Sequence, residues 1–375
     1  MSRELEQHLE RLLRVPQASD EVERRALGLA LAALPAPAGA DRSRRLRVLL
    51  LAAAATLALL AVAAAALATA GALHVTLGTS SPGAPVLPRE LHVPAGAKAV
   101  AAVVDGRLWL TTRSGLSIRG LPVQSATLSP HALYVAAGIG SSLVAMAPDG
   151  ARAWSRAAGG PVVAIAWAPD GLRIAYVVRR AGRFQLRTVE GNGARDRLLD
   201  GNVRRVTPSW RADSLAVAYV GGGGRAVVYD FAHDSHRVVA GRPGAGAQQV
   251  AFAPEGTTLA IASARAVTLD GAGWTTPCEA CDLAWTGSRL VAASSTKLAL
   301  FRVTPDGRTT SLEPLAVSGR VEALDATESA IVVAVARPSG TRMLGAAAAG
   351  SGAHPPREVL LQLAATTPID AVSVR

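Results

Sequence analysis

The chain has 375 residues, 50% of them hydrophobic and only 18% charged. That supplies ample material for a core and excludes a wholly disordered chain. The formal net charge is +11, from 39 Lys and Arg against 28 Asp and Glu. No run of five like charges occurs, so a diffuse positive face is expected rather than a nucleic-acid groove, and no nucleic-acid partner. Gly 36 and Pro 22 favour a turn-rich β chain over a helical bundle. Lys98 and Lys297 are the only lysines; with the alanine excess, this is the coding bias of a GC-rich bacterial genome.

The first 47 residues predict a short helical segment. Residues 3–15 place Leu5, Leu9, Leu12 and Leu13 at helical spacing, and Pro16 stops them. Residues 20–34 open on Asp20, Glu21 and Glu23, a helix N-terminal pattern, and carry Val22, Leu27, Leu31 and Leu34 as an apolar stripe. Two such helices are too short to bury a core of their own. They read either as a solvated flank or as a docking element for a cytoplasmic partner. The latter would resemble membrane-bound anti-sigma factors, without their zinc form, since only His8 and no Cys is present.

Val48–Leu73 is 26 residues without a charge. As a helix it would measure about 39 Å, enough to cross a hydrocarbon core of ~30 Å. Arg42, Arg44, Arg45 and Arg47 precede it, and no Lys or Arg follows until Arg89. The positive-inside rule then puts 1–47 in the cytoplasm and the rest outside. The competing reading is a cleaved export signal: Ser43–Arg47 resembles a twin-arginine motif, and Ala68-Thr69-Ala70 and Ala70-Gly71-Ala72 are small-x-small sites. The length of the apolar stretch favours an uncleaved single-pass anchor in a bacterial cytoplasmic membrane.

Residues 74–97 read as a linker, and 98–375 as a series of repeats. Ala164–Tyr176 is AIAWAPDGLRIAY, Gln249–Ile261 is QVAFAPEGTTLAI, Thr207–Tyr219 is TPSWRADSLAVAY, and Asp282–Ala292 is DLAWTGSRLVA. Weaker copies lie at Ala126–Ala136 and Glu322–Ala334. Aligned on their bulky residue, these give Leu128, Trp167, Trp210, Phe252, Trp285 and Leu324, at steps of 39, 43, 42, 33 and 39 residues. Each copy is an apolar strand, a tight turn and a second strand, and a period near 40 is that of a four-stranded propeller blade. The bulky residues are expected between blades. With Lys98–Val123 as a degenerate first blade the count is seven, with six as the alternative. Ring closure is expected from Glu90–Val93 together with Glu358–Leu363 or Ala371–Val374; Ala346–Pro356 reads as a low-complexity loop.

The A-W-A-P-D-G pattern of Ala164–Tyr176 resembles the WD-repeat-like blades of TolB-type β-propellers of bacterial envelopes. The resemblance spans roughly residues 98–375. It implies an all-β fold and a rigid binding platform, not a chemistry. Thr207–Tyr219 departs from the pattern, with Arg211-Ala212-Asp213-Ser214 in place of Pro-Asp-Gly.

No catalytic constellation stands out. Cys278 and Cys281 form a lone C-x-x-C ahead of a strand, read as a local disulfide; zinc would need a second ligand pair. His233-Asp234-Ser235-His236 reads as a solvated hairpin turn rather than a metal site, and Gly221–Gly224 as a hairpin loop rather than a phosphate loop. No G-x-S-x-G elbow occurs. The expectation is therefore a membrane-anchored, extracytoplasmic, non-catalytic module without cofactor or metal, binding a protein or envelope component. The alternative is a transmembrane signalling protein whose residues 1–45 bind a cytoplasmic regulator.

Overall fold

A computed structural model describes residues 91–239, 246–294, 297–304, 307–312, 314–317, 319–339, 341–348, 358–363 and 367–375. The expected cytoplasmic helices, the apolar stretch 48–73 and Arg42, Arg44, Arg45 and Arg47 lie outside the described residues. Among the described residues none is helical.

The strands sort into seven antiparallel sheets. Seven is therefore the blade count, not six. Blade 3 shows the common plan: Val162–Trp167 innermost, then Arg173–Arg180, Arg183–Glu190 and Arg197–Val203 outward. Second strands are sandwiched between neighbouring blades, so both faces of their central residues are buried and apolar. Ala216–Val220 (AVAYV) and Ala330–Ala336 (AIVVAVA) are such strands. Outer strands such as Arg152–Ala157 and Ser235–Val238 meet water and are polar, whereas Glu358–Leu363 of blade 7 buries Leu360, Leu361 and Leu363.

The turn after each innermost strand follows the repeat. In blade 3 the Gly171 amide donates to Ala168 O (2.9 Å), Asp170 accepts from the Leu172 amide (2.9 Å), and Gly171 takes a φ of 74°. Blade 4 makes the same turn without Pro or Gly: Ser214 donates to Arg211 O (2.9 Å) at a φ of 60°, and Asp213 accepts from Leu215 (2.8 Å). The strained serine has a compensation. Its buried hydroxyl accepts a hydrogen bond from the Asp170 amide of blade 3 (3.0 Å), which glycine could not do.

The repeat's bulky residues lie between blades. Trp210 donates through Nε1 to Ala166 O of blade 3, and Trp285 to Ala251 O of blade 5, both at 3.0 Å. Leu128 joins a core with blade 1 residues, Trp167 one with Ala136 and Leu143 of blade 2, and Phe252 one with Ala218 and Val228 of blade 4. Leu324 packs at the edge of the core shared by blades 6 and 7.

Ring closure comes from Ile369–Val374, which pairs with Ala99–Val104 and becomes the innermost strand of blade 1. Glu358–Leu363 is instead the outer strand of blade 7. Leu91–Val93 form no strand; His92 donates one backbone bond to Leu360 O (3.3 Å) while Leu91 is buried. Ala346–Ala348, expected in a loop, end the strand Arg342–Ala348; small side chains suit a strand enclosed by its neighbours.

The closing strand is held from both sides. Asp325 of blade 7 accepts from the Val374 amide (2.9 Å), its own neighbour Ala326 (2.9 Å) and the Arg375 guanidinium (3.2 Å). On the other side the Leu128 amide of blade 2 donates to Ser373 Oγ (3.2 Å). Asp325→Ala removes the first set and is expected to cost about 2–4 kcal/mol. Deleting 369–375 is expected to abolish the cooperative transition altogether. Urea unfolding followed by circular dichroism tests both; an Asp325→Ala protein as stable as wild type would exclude this latch.

Candidate functional site

The seven innermost strands surround a cavity of about 590 Å³ on the propeller axis. Each is the inner edge of its sheet, so its backbone groups on that side have no strand partner. Side chains bridge from one edge to the next instead. Ser125 Oγ donates to Val162 O (2.8 Å), the Phe252 amide donates to Ser209 Oγ (2.8 Å), and Gln249 both accepts from the Leu283 amide (2.7 Å) and donates to Leu283 O (3.4 Å). Gly138, behind Ser125, lets this approach happen: a Cβ there would lie 2.5 Å from Val162 O.

The two ends of the cavity differ. Innermost strands all run the same way, so their starts share one face, called here the inlet face. It also carries the hairpins between second and third strands. In five of the six aligned repeats the residue three before the bulky one lines the cavity at the inlet: Ser125, Ala164, Thr207, Gln249 and Asp282. Trp167, Trp210, Phe252 and Trp285 line it toward the opposite face, with Pro169 and Pro254.

Most charged groups in the cavity are paired. Glu322 receives the Arg342 guanidinium at 2.9 and 3.0 Å and Arg320 at 3.2 Å. Asp325 holds Arg375, and Asp370 accepts from the Gly106 amide (3.1 Å). Two are not. The Asp282 carboxyl and the Arg205 guanidinium make no hydrogen bond or ion pair among the described residues. Burial pushes the Asp282 pKa up to about 6. The cavity thus keeps one unpaired acid and one unpaired cation at its inlet. Neither stood out in the sequence; the column three residues before each aromatic was the signal available.

The other candidates fall outside the cavity. Cys278 and Cys281 are joined in a disulfide, Cα–Cα 5.9 Å, in the loop leading into Asp282. The loop lies along the blade 5 hairpin, with the Cys278 amide on Arg265 O (2.9 Å) and Ala280 on Ala264 O (3.2 Å). His233 lies in the hairpin before the outer strand of blade 4 and His236 on that strand; their Nδ1 atoms meet Asp230 (3.1 Å) and the Tyr219 hydroxyl (2.9 Å). Among the described residues no His, Cys, Asp and Glu cluster could hold a metal ion. Gly221–Gly224 lies between the second and third strands of blade 4. In the outer part of blade 3, burial opposes ionisation of Asp196, but Arg187, Tyr176 and Arg156 together hold its pKa below the usual value.

No protein-family model and no curated protein matches the chain. Among solved structures it is similar to TolB from Acinetobacter baumannii, at 14% identity and a TM-score of 0.48, over 75% of this chain and 68% of that one. The seven-blade architecture rests on the strand pairing itself.

Asp282 sets a test. An acid whose pKa is raised on folding binds more protons folded than unfolded, so stability falls as pH rises from about 4 to 6. Asp282→Asn is expected to add about 1–2 kcal/mol at pH 7 and to remove that part of the pH dependence. Denaturant midpoints of both proteins from pH 4 to 7 measure it; parallel curves would show that Asp282 is not desolvated.

Proposed function

We propose that the protein is an extracytoplasmic binding module, held at a bacterial cytoplasmic membrane by Val48–Leu73, that engages a protein or envelope ligand at the inlet of its central cavity without catalysing a reaction. The observation that carries this is the pair of unpaired groups, Arg205 and Asp282, on a cavity whose other described charges are already bonded. A ligand with polar groups of both signs would satisfy both. The cavity lining contains no His, Cys, Lys or Tyr, and the hydroxyls of Ser125, Thr127, Ser209 and Ser373 take part in bonds between blades. Of the lining hydroxyls, these four are engaged in holding blades together, which favours binding over nucleophilic chemistry. The sequence supports the anchor through the uncharged span and the arginines before it. The blade motif supports kinship with WD-repeat-like, TolB-type platforms.

A photo-crosslinker in place of Thr207, at the inlet beside Arg205, is expected to trap ligand in native membranes, and one in place of exposed Thr275, on an outer strand, to trap none. Equal trapping at both positions would overturn the cavity inlet as the binding site. The membrane-bound protein should retain residues 1–47; a mature chain starting near residue 71 or 73 would overturn the anchor.

A further inference from the structure

The net positive charge has a location. Blades 3, 4 and 5 bring seven arginines to the inlet face: Arg179, Arg180 and Arg183 around the blade 3 hairpin, Arg204 and Arg205 where the chain passes to blade 4, Arg225 in the blade 4 hairpin and Arg265 in that of blade 5. The described residues of these hairpins and of that connection include no Asp or Glu. Arg180 and Arg204 are partly used, donating to Ala158 O (2.7 Å) and Ala247 O (3.2 Å). Arg179, Arg183, Arg205, Arg225 and Arg265 are exposed and form no ion pair among the described residues. Arg183, Arg204 and Arg205 also line a groove of about 490 Å³ between blades 3 and 4, again without an acid. The blade 3 hairpin is a rigid platform: Ala181 and Gly182 both have positive φ, 46° and 76°, and Arg180 faces Arg183 across it. Like charges gathered this way repel one another until an anion covers them.

The composition of these loops selects the anion. They hold Arg, Gly and Ala with Val206, Thr207 and Pro208, and none of these is an exposed aromatic or large aliphatic residue; the groove adds the half-buried Phe184. Of the exposed apolar residues, Leu116, Leu133, Tyr134, Leu172 and Leu215 sit in turns on the opposite face, and Leu198 and Val238 on the outer strands of blades 3 and 4. A protein partner is normally gripped by buried aromatic or aliphatic anchors. A layer of phosphate headgroups needs none, only spread cations. We infer that the arginine arc of blades 3–5 docks the propeller onto anionic phospholipid headgroups of the membrane that anchors the chain. This rests on the anchoring reading above. Residues 74–90, 17 in number, reach no further than about 60 Å even fully extended, so the face stays at high effective concentration beside the headgroups.

The test uses the full chain reconstituted in vesicles of phosphatidylcholine alone or in equal mixture with phosphatidylglycerol, read by backbone hydrogen exchange. Exchange in the hairpins at 179–183, 221–225 and 264–266 is expected to slow roughly tenfold on the mixed vesicles at low salt, and to recover at high salt. R183E/R225E/R265E should abolish the slowing while the second strands keep their protection, showing that the variant is folded. Equal exchange on both vesicle types, with the chain floating alongside phosphatidylcholine in high salt, overturns the docking and leaves the anchor standing. A chain that does not float with phosphatidylcholine overturns both. Stronger protection by added polyglutamate on neutral vesicles than by phosphatidylglycerol would make the arc a site for an acidic polypeptide and overturn the lipid assignment.

Discussion

Seven sheets meeting at one axis cannot pair with one another as strands do. Each innermost strand ends its own sheet, and the next begins at an angle to it. The backbone groups left over near the axis must find another partner, and here side chains provide it. Ser125, Ser209, Trp210, Gln249, Trp285, Asp325 and Ser373 each reach across one blade boundary to a backbone group. The cavity is polar for this reason before any ligand is considered. Its shape follows from the alanines that let blades approach, and its chemistry from the few polar groups that the bridging does not consume.

That division separates structure from function within a single column of the repeat. Gln249 and Asp282 occupy equivalent positions in adjacent blades. Gln249 has both a donor and an acceptor and ties its blade to the next through Leu283. Asp282 has acceptors only and makes no such tie among the described residues. One change of side chain turns a structural bridge into a group open to a ligand. The same holds for the turn in blade 4, where Ser214 accepts backbone strain and gains a contact between blades.

The architecture was legible because its signals are local and repeated. Trp167, Trp210, Phe252 and Trp285 mark strand ends at a period near 40, and alternation with tight turns needs only a dozen residues to show itself. Ring closure was half legible: Ala371–Val374 was one of two candidates, and nothing local separates it from Glu358–Leu363, since both are short apolar runs near the same end. The cavity was hidden because its residues come from seven places, one to a blade. Arg183, Arg225 and Arg265 were hidden for the same reason. They stand 42 and 40 residues apart, so no charge run exists in the sequence, yet the blade period stacks them on one face.

The strand Ile369–Val374 completes a sheet whose other members begin at Ala99. More than 260 residues separate the pairing Val100↔Val374, so this contact has a very high sequence separation and a large closure cost. Blades 2 to 7 can each form as a local meander while the chain is still being made. Blade 1 cannot. Until residue 374 is available it lacks its innermost strand, its next edge lies open, and Asp325 and Leu128 lack the partners that join blade 1 to blades 7 and 2. The nascent chain therefore stays an open, sticky arc until residue 374 has been made, and the step that seals it depends on translation reaching that point.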